Sequence, residues 1–568
     1  MNADAASLAT DLPETAASPV ATALYPSPPP GHSPLHVVLV APEQMPAWLA
    51  KFARLAASAW IEFTLLPVAD ACTPDVAGVA ADLRAYLAID RARARNASAR
   101  DPLTPVAIAD GDIARAPTLA SGTAIDEICD AARSLRPGLI LLLGEPAWAE
   151  ALGACAKWGC WRLDAGLVDA RHGGLDLLRP MVTGDSATAL ALELAHADGR
   201  VDALDTSWGA TANSFRLQRE RALSKLPALL LRALRRIAAD DASLPTRRDA
   251  CLRLAPAPAG FAAGSRALLR ASLRHVRKRL RKTGPEESWH LVVRRASVPL
   301  DPERPVVDAH RALAPQRGQC WADPCLVEDA GRRLLFVEEF PEGVGKGVIV
   351  CLELDDKDDA HRLGIALEES FHLSYPQAFR WHGEWYLTVE SGAAKRVSLY
   401  RAQEFPLRWT RVADLIVDRV CVDPTLYQHQ GRWYLFANVS ESGGSTWDEL
   451  FLFVADSPLG PFHPHPANPI VSDVRCARSA GRLFHHRGRL IRPAQNCGPS
   501  YGAEVVFREI VELGETTYAE RTLGGLAPWM PGMDGCHTYT AITGLEVLDA
   551  RERDRRGRQK RWRAVAGS

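Results

Sequence analysis

The apolar run His36-Val37-Val38-Leu39-Val40 predicts a buried strand. A helical pattern follows from Pro46 to about Ala57, and Ile61-Glu62-Phe63-Thr64-Leu65-Leu66 reads as a second strand. Helical spacing returns over Ile125 to Leu135 and breaks at Arg136-Pro137-Gly138. Another buried strand then runs over Leu139-Ile140-Leu141-Leu142-Leu143-Gly144. Strands alternating with helices predict a parallel sheet covered by helices. Leu226 to Ile237 reads as a further helix, with Pro227 tolerated in its first turn. From Arg266 to Lys282, Leu269, Leu273, Val276 and Leu280 form one stripe on a helix carrying eight Arg or Lys. Such a helix either connects two domains and packs its stripe on one of them, the favoured reading, or lies on an anionic membrane surface.

After Gly284-Pro285 the period changes from helical to alternating, and Gly-centred turns recur at a spacing of about 50 residues. One unit reads Asp323-Pro324-Cys325-Leu326, a turn at Gly331, then Arg333-Leu334-Leu335-Phe336. The next reads Tyr375-Pro376, Gly383, Trp385-Tyr386-Leu387. The third reads Asp423-Pro424-Thr425, Gly431, Trp433-Tyr434-Leu435-Phe436. The fourth reads Arg478-Ser479-Ala480-Gly481, Gly488, Leu490-Ile491, and a fifth begins near His537-Thr538-Tyr539. About four strands per unit and five units predict a five-bladed β-propeller, with Ser288 to Val293 as the strand that closes the ring. Trp385 and Trp433 are expected to pack between blades. The polar residues that open the inner strands then converge on one mouth: Asp323, Tyr375, Asp423, Arg478 or Ser479, and His537.

The chain of 568 residues thus divides into a tail over 1–34, rich in Ala, Ser, Thr and Pro, and an α/β domain over 35–245. A linker with the basic helix spans 246–284, the all-β propeller 285–553, and a basic tail 554–568. A formal net charge of -1 gives no reason to expect a nucleic-acid partner. The 12 cysteines include no CxxC pair, so buried thiols are expected rather than a zinc site, and no metal is assigned. The opening residues lack the pattern of a signal peptide, and no run is long enough to span a bilayer. The expected location is the cytoplasm, with peripheral contact at the inner face of the membrane through 266–282.

At the propeller motifs the chain resembles two groups. Asp323-Pro324 and Asp423-Pro424 look like the five-bladed furanosidase-type glycosidases, the arabinanase, levansucrase and invertase superfamily. More closely, Trp321-Ala322-Asp323-Pro324, Ser374-Tyr375-Pro376, Val422-Asp423-Pro424-Thr425 and Asp534-Gly535-Cys536-His537-Thr538-Tyr539 resemble the N-terminal domain of glucosamine inositolphosphorylceramide transferases. The glycosidase resemblance implies Asp323 as base and Asp423 as the carboxylate that tunes a pKa. The general acid of that group usually opens the fourth blade, where this chain has Arg475-Cys476-Ala477-Arg478-Ser479 and no carboxylate. Glu390, or Glu338/Glu339, are the substitutes on neighbouring strands. An arginine suits a phosphate, because its fork grips oxygens bidentately. Arg478 and Arg492, with Gln495 and Asn496 beside the latter, are therefore candidate ligands of a sugar-phosphate or nucleotide-sugar. Trp321 and Trp529 are candidates for stacking on sugar rings. His537 is either a hydrogen-bonded channel histidine or a metal ligand.

Residues Arg136 to Trp208 resemble the catalytic domain of folate-dependent formyltransferases, a Rossmann-type α/β fold. That family works with an Asn-x-His pair and an Asp; here the first two positions hold Trp161 and Leu163, and Asp202 matches the third. Neither Trp nor Leu can handle the amine's proton or hold an oxyanion, so folate is not expected as a cofactor. His172 lies nearby without motif support. The favoured function is glycosyl transfer in surface polysaccharide or glycolipid synthesis. The alternatives are a glycoside hydrolase, a non-catalytic sugar-binding module and an amino-sugar N-formyltransferase.

Overall fold

The computed structural model describes residues 21–56, 60–69, 86, 88–90, 105–107, 113–143, 147–162, 175–195, 201–239, 269–270, 273, 287–316, 319–341, 345–441 and 444–553. The basic helix expected at 266–282 and the tail at 554–568 lie outside these, apart from Leu269, Arg270 and Leu273.

The N-terminal half is built on five parallel strands. Their order is Ala114–Arg115, Ile61–Pro67, Leu35–Ala41, Leu139–Leu142, Cys160–Arg162. Counted along the chain, this is the 3-2-1-4-5 order of a Rossmann-type sheet. Alternate side chains feed two cores. Val37 and Leu39 pack with the helices Ala47–Ala56 and Phe215–Ala238, whereas Val38 and Val40 pack with the helices Ile125–Ser134 and Trp148–Gly153. The pairing goes no further toward a formyltransferase fold. Trp161 is buried in the first of these cores, where an indole has no acid–base role. Leu163, His172 and the side chain of Asp202 lie outside the described residues.

The helix expected at 226–237 begins eleven residues earlier, at Phe215. Ser214 caps it, accepting from Leu217 N, and Asp90 accepts from Arg216 N at 2.9 Å. Pro227 is therefore interior, not in the first turn, and forgoes one helical hydrogen bond. Packing of the helix on the sheet and on the propeller outweighs that loss.

The second half is a ring of five antiparallel sheets. Blade I comprises Gln319–Asp329, Arg332–Pro341, Val348–Leu354 and Ala360–Leu367. Blade II comprises Ser374–Trp381, Glu384–Glu390, Arg396–Glu404 and Arg408–Val417. Blade III comprises Cys421–His429, Arg432–Val439, Leu450–Ala455 and His463–Pro464. Blade IV opens with the split strand Arg478–Ser479 and Phe484–His486, followed by Arg489–Asn496, Glu504–Leu513 and Tyr518–Leu526. Blade V joins both ends of the domain: Tyr539–Ile542 pairs with Leu545–Arg553, which pairs with Glu287–Arg295, which pairs with Arg311–Leu313. The nine-residue pairing of Glu287–Arg295 with Leu545–Arg553 closes the ring, as the sequence suggested.

Five apolar clusters fill the five gaps between blades. On the second strand of blade I, Leu335 and Val337 face blade V, and Leu334 and Phe336 face blade II. Blade III repeats this: Trp433 and Leu435 face blade II, Tyr434 and Phe436 face blade IV. A strand buried on both faces must be apolar at every position, which explains the unbroken apolar runs.

Residues 21–34 fall in the stretch expected to be a structureless tail, yet Thr22, Leu24 and Tyr25 dock on the propeller and Pro26 and His32 meet Trp60 of the N-terminal domain. Thr22 N donates to Val417 O at the outer edge of blade II, Leu24 is buried between blades II and III, and the Tyr25 hydroxyl donates to Glu441 at 2.8 Å. An exposed edge strand offers unpaired backbone, and Leu24 and Tyr25 supply the apolar anchor.

Candidate active site

Each of the first three blades begins with a residue followed by proline. Proline has no N–H for the ladder, so within a central strand it demands a bulge. The register slips between Ala322 and Cys325, between Ser374 and Gln377, and between Val422 and Thr425. At each slip the residue before proline takes a left-handed conformation: Asp323 at φ 52°, Tyr375 at φ 46° and Asp423 at φ 50°. Asp tolerates this region; for tyrosine it is strained and held by its surroundings. The Tyr375 hydroxyl accepts from Gly481 N at 2.8 Å and lies 3.0 Å from Thr425 Oγ1, tying blade II to blades III and IV.

A second ring of polar groups stands on the second strand of each blade. Opposite the residue at the bulge edge are Glu338, Glu390 and Asn438, and Gln495 faces Arg478 in blade IV. Blade V contributes Asp549.

These rings form two linked half-sites. In the first, Asp323 accepts from Thr538 Oγ1 at 2.9 Å and from Tyr375 N at 3.2 Å. His537 Nε2 stands 3.8 Å from Asp323 Oδ1, and its Nδ1 is 2.5 Å from Asp549 Oδ2. Asp549 Oδ1 also accepts the backbone N–H of His537 and Thr538. Trp289 stacks on the imidazole with centroids 4.0 Å apart. In the second, Arg478 grips Asp423 with both arms of its fork, Nε to Oδ2 at 2.6 Å and Nη2 to Oδ1 at 3.1 Å. Gln495 Nε2 donates to the same carboxylate at 3.2 Å, and Glu390 Oε2 lies 3.5 Å from Arg478 Nη2. Tyr501 bridges the halves: its ring lies under the Arg478 guanidinium at 4.8 Å and edge-on to His537 at 5.3 Å.

The charge balance decides the protonation pattern. Five carboxyl groups (Asp323, Glu338, Glu390, Asp423 and Asp549) share this buried space with two cations, Arg478 and His537. Burial pushes Asp323 up to about 6, against the pull of His537. Burial and the nearby Asp323 and Glu390 carboxylates raise Glu338 well above the usual carboxylate range. Burial and Asp423 do the same to Glu390, opposed by Arg478. For His537, burial works against the charged form, but Asp549 and Asp323 outweigh it and its pKa rises. Burial likewise works against charge on Asp549, which His537 outweighs, so that carboxyl is held low. The cluster therefore offers a poised base, two carboxyls biased toward the neutral acid, and two cations.

Of the residues singled out in the sequence, Asp323, Tyr375, Asp423, Glu390, Arg478, Gln495 and His537 come together here. Three do not. Arg492 is buried in blade IV and spends its fork on Glu520, at 2.9 and 2.8 Å, and on Cys476 O. Glu339 points the opposite way from Glu338, as strand alternation requires, and holds Arg362 bidentately. Trp321 is buried and donates Nε1 to Glu339 at 3.0 Å, so it stacks on no ligand. Asn496 ties down a loop, donating to Glu504 and accepting from Gly498 N. Arg478 commits the Nε–Nη2 edge of its fork to Asp423 and is a partner of that carboxylate. Sequence reasoning missed Asp549, Tyr501, Thr538 and Trp289. Glu338 was legible from its place opposite Ala322, one strand period from the bulge.

A family model described as glucosamine inositolphosphorylceramide transferase 1, N-terminal, matches residues 296–524. A protein of Oryza sativa subsp. japonica named glucosamine inositolphosphorylceramide transferase 1 is 38% identical over 203 residues, 35% of this chain and 27% of that protein. The Arabidopsis thaliana protein of the same name is 35% identical over 203 residues, 35% of this chain and 26% of its own. The chain spans about a quarter of the length of the curated relatives it matches. Among solved structures, a family 117 glycoside hydrolase of Zobellia galactanivorans is similar over 42% of this chain and 84% of its own, at 15% identity and a TM-score of 0.31. The catalytic domain of a Coprinopsis cinerea α-L-arabinofuranosidase is similar over 47% of this chain and 98% of its own, at 14% identity and a TM-score of 0.32. The propeller rests on the strand pairings above, not on these likenesses.

Proposed function

We propose that the chain is a glycosyltransferase of glycolipid or surface-glycan synthesis, with its chemistry at the propeller mouth and Asp323 as the base. The observation that carries this reading is Asp323 itself: a buried carboxyl poised near 6, oriented by Thr538 and Tyr375 and backed by the His537–Asp549 pair. In transfer, Asp323 takes the proton of an acceptor hydroxyl while that oxygen bonds to the anomeric carbon of the donor sugar. The bond from that carbon to its leaving group breaks, and a nucleotide diphosphate departs as an anion without needing a proton. His537, held in its charged form, supplies positive potential nearby. Arg478 keeps Asp423 in place and neutralises it. The transferase names of the matching relatives support the same class. We place the protein in the cytoplasm, at the inner membrane face.

One observation favours hydrolysis as a second reading. Glu338 and Glu390, both biased toward the neutral acid, could protonate a leaving alcohol, which is the group the fourth blade does not provide. Product analysis separates the two. Incubation with nucleotide-sugars and a glycolipid acceptor should give an acceptor heavier by one sugar. Free sugar released from glycans with no donor present would assign a hydrolase instead. The N-terminal domain acts in this reading as a scaffold for the propeller.

A further inference from the structure

The groups that must meet a substrate are covered. Asp323, Asp423, Arg478 and His537 are each 6% exposed or less. Tyr501 lies over them, on the loop that joins Arg489–Asn496 to Glu504–Leu513 in blade IV. Its ring packs on the Arg478 guanidinium and the His537 imidazole, the two cations of the mouth. Burial, opposed by Arg478 and assisted by Asp323, Asp423 and Glu390, pushes its phenol well above the usual tyrosine range. The phenol thus stands among the carboxyls and cations of both half-sites, in space that a substrate hydroxyl has to enter.

The loop has fixed roots and a tip with a separate latch. At one root, Cys497 N donates to Val474 O at 2.9 Å, and Val474 N donates to Trp208 O of the N-terminal domain at 2.9 Å. Gly498 lies against Ser186 of the same domain, where an added Cβ would stand 3.2 Å from Ser186 Oγ. At the other root, Gly502 O accepts from Cys536 N at 3.0 Å. Gly502 is left-handed at φ 57°, and a Cβ there would stand 2.9 Å from His537 Cβ. Glycine permits both the turn and the large backbone change that a hinge needs. The tip is held by Arg551 of blade V, whose Nη1 donates to Tyr501 O at 2.9 Å and whose Nη2 reaches Ser500 Oγ at 3.4 Å. Asp534 Oδ1 steadies that guanidinium, accepting from Nε at 2.8 Å. Opening the tip therefore releases Arg551 and one aromatic ring while every blade ladder stays paired, so it costs far less than unfolding a blade.

We propose that Gly498 to Gly502 form a gate over the mouth, closed here, in which the Tyr501 phenol holds the place of a substrate hydroxyl and swings out on release from Arg551. The gate rests on the mouth being the reacting site, whichever reaction runs there.

Cys497 reports on the gate without any reaction. It is 0% exposed, shares an apolar cluster with Tyr501, and has the Gly502 N–H against its thiol. Cys351 and Cys421 are equally buried but lie on ladder strands of blades I and III, and serve as controls. The full chain is treated with N-ethylmaleimide under native conditions, and labelled peptides are quantified by mass spectrometry. Cys497 should label at least about tenfold faster than either control, because its exposure needs no blade to unfold. Arg551→Met should speed Cys497 by about a further tenfold and leave the controls unchanged. Arg551→Lys keeps the charge beside Asp534 and should give a smaller rise, which preserves the test if the methionine variant misfolds. The thiol introduced by Thr538→Cys, at a buried position beside Asp323, should follow Cys497 across the Arg551 variants. Equal labelling of Cys497 and the controls in the parent overturns the gate, as does a Cys497 rate unmoved in the folded Arg551 variants. A thiol at 538 that stays unlabelled while Cys497 opens overturns it too. Turnover of Asp323→Asn bears on the reaction and these rates on the gate, so either can fail alone.

Discussion

Replacing Arg478 by methionine probes the electrostatic centre of the mouth. The guanidinium and the Asp423 carboxylate are both nearly buried, with side-chain exposures of 8% and 2%, and are joined by two hydrogen bonds. Methionine fills similar space but removes both of those hydrogen bonds, leaving Asp423 the Gln495 amide at 3.2 Å and the neighbouring Glu390 carboxyl. Breaking one partner of a buried pair costs about 3–5 kcal/mol. For a domain of this size that corresponds to a fall of about 6–20 °C in midpoint. Thermal and urea unfolding followed by circular dichroism measures it. The double variant Asp423→Asn/Arg478→Met removes the stranded charge, so the cycle should return a coupling of about 2 kcal/mol or more. A loss below about 1 kcal/mol for Arg478→Met, with no coupling, would refute the claim that this pair is a desolvated, mutually dependent unit.

The remaining predictions concern the acid–base poise and the joints of the molecule. Asp323 must be ionised to accept a proton, so kcat/KM should rise with pH through about 6, and a profile flat across that region would remove Asp323 as the base. Because its folded pKa is raised, its ionisation costs stability: the protein gains from the protonated form at low pH and loses that gain as pH rises through about 6, a dependence that Asp323→Asn should abolish in pH-resolved unfolding. Tyr375→Phe leaves Gly481 N–H without its acceptor and should cost about 1–3 kcal/mol in the same unfolding assay; an unchanged midpoint would mean that blade II is not tied to blade IV there. Arg232→Met takes from Glu449 and Glu441 the cation they share at the domain junction, leaving Glu449 to Lys225 and Glu441 to the Tyr25 hydroxyl, so limited proteolysis should cut between the two halves faster than in the parent, and equal rates would show the docking to be independent of that network.

The propeller was legible because its blades repeat and because strands buried on both faces show as unbroken apolar runs such as Leu334-Leu335-Phe336-Val337. The mouth was legible through its x-Pro pairs, which repeat at the bulges. What failed was direction. Glu339 and Arg492 were plausible by residue type, yet alternation along the strand turns Glu339 away from its neighbour Glu338, and blade IV supplies Glu520 to neutralise Arg492. Asp549 and Tyr501 carry no local motif; Asp549 joins the site because ring closure brings the last strand against the first, and Tyr501 reaches it from the blade IV loop between Arg489–Asn496 and Glu504–Leu513. The helix start at Phe215 was missed although its cap, Ser214, is local, because the charged stretch Arg216 to Arg221 dilutes the apolar spacing of the first turns. The docking of Thr22 to Tyr25 was missed because two apolar anchors in a Pro- and Ser-rich stretch fall below any composition signal.

The account turns on Asp323 as the group that removes the acceptor's proton. Its most direct test is the turnover of Asp323→Asn against the parent, with equal folding established by circular dichroism and glycolipid product quantified by mass spectrometry. A fall of about 10²–10⁴-fold is predicted, and turnover within about twofold of the parent would contradict it.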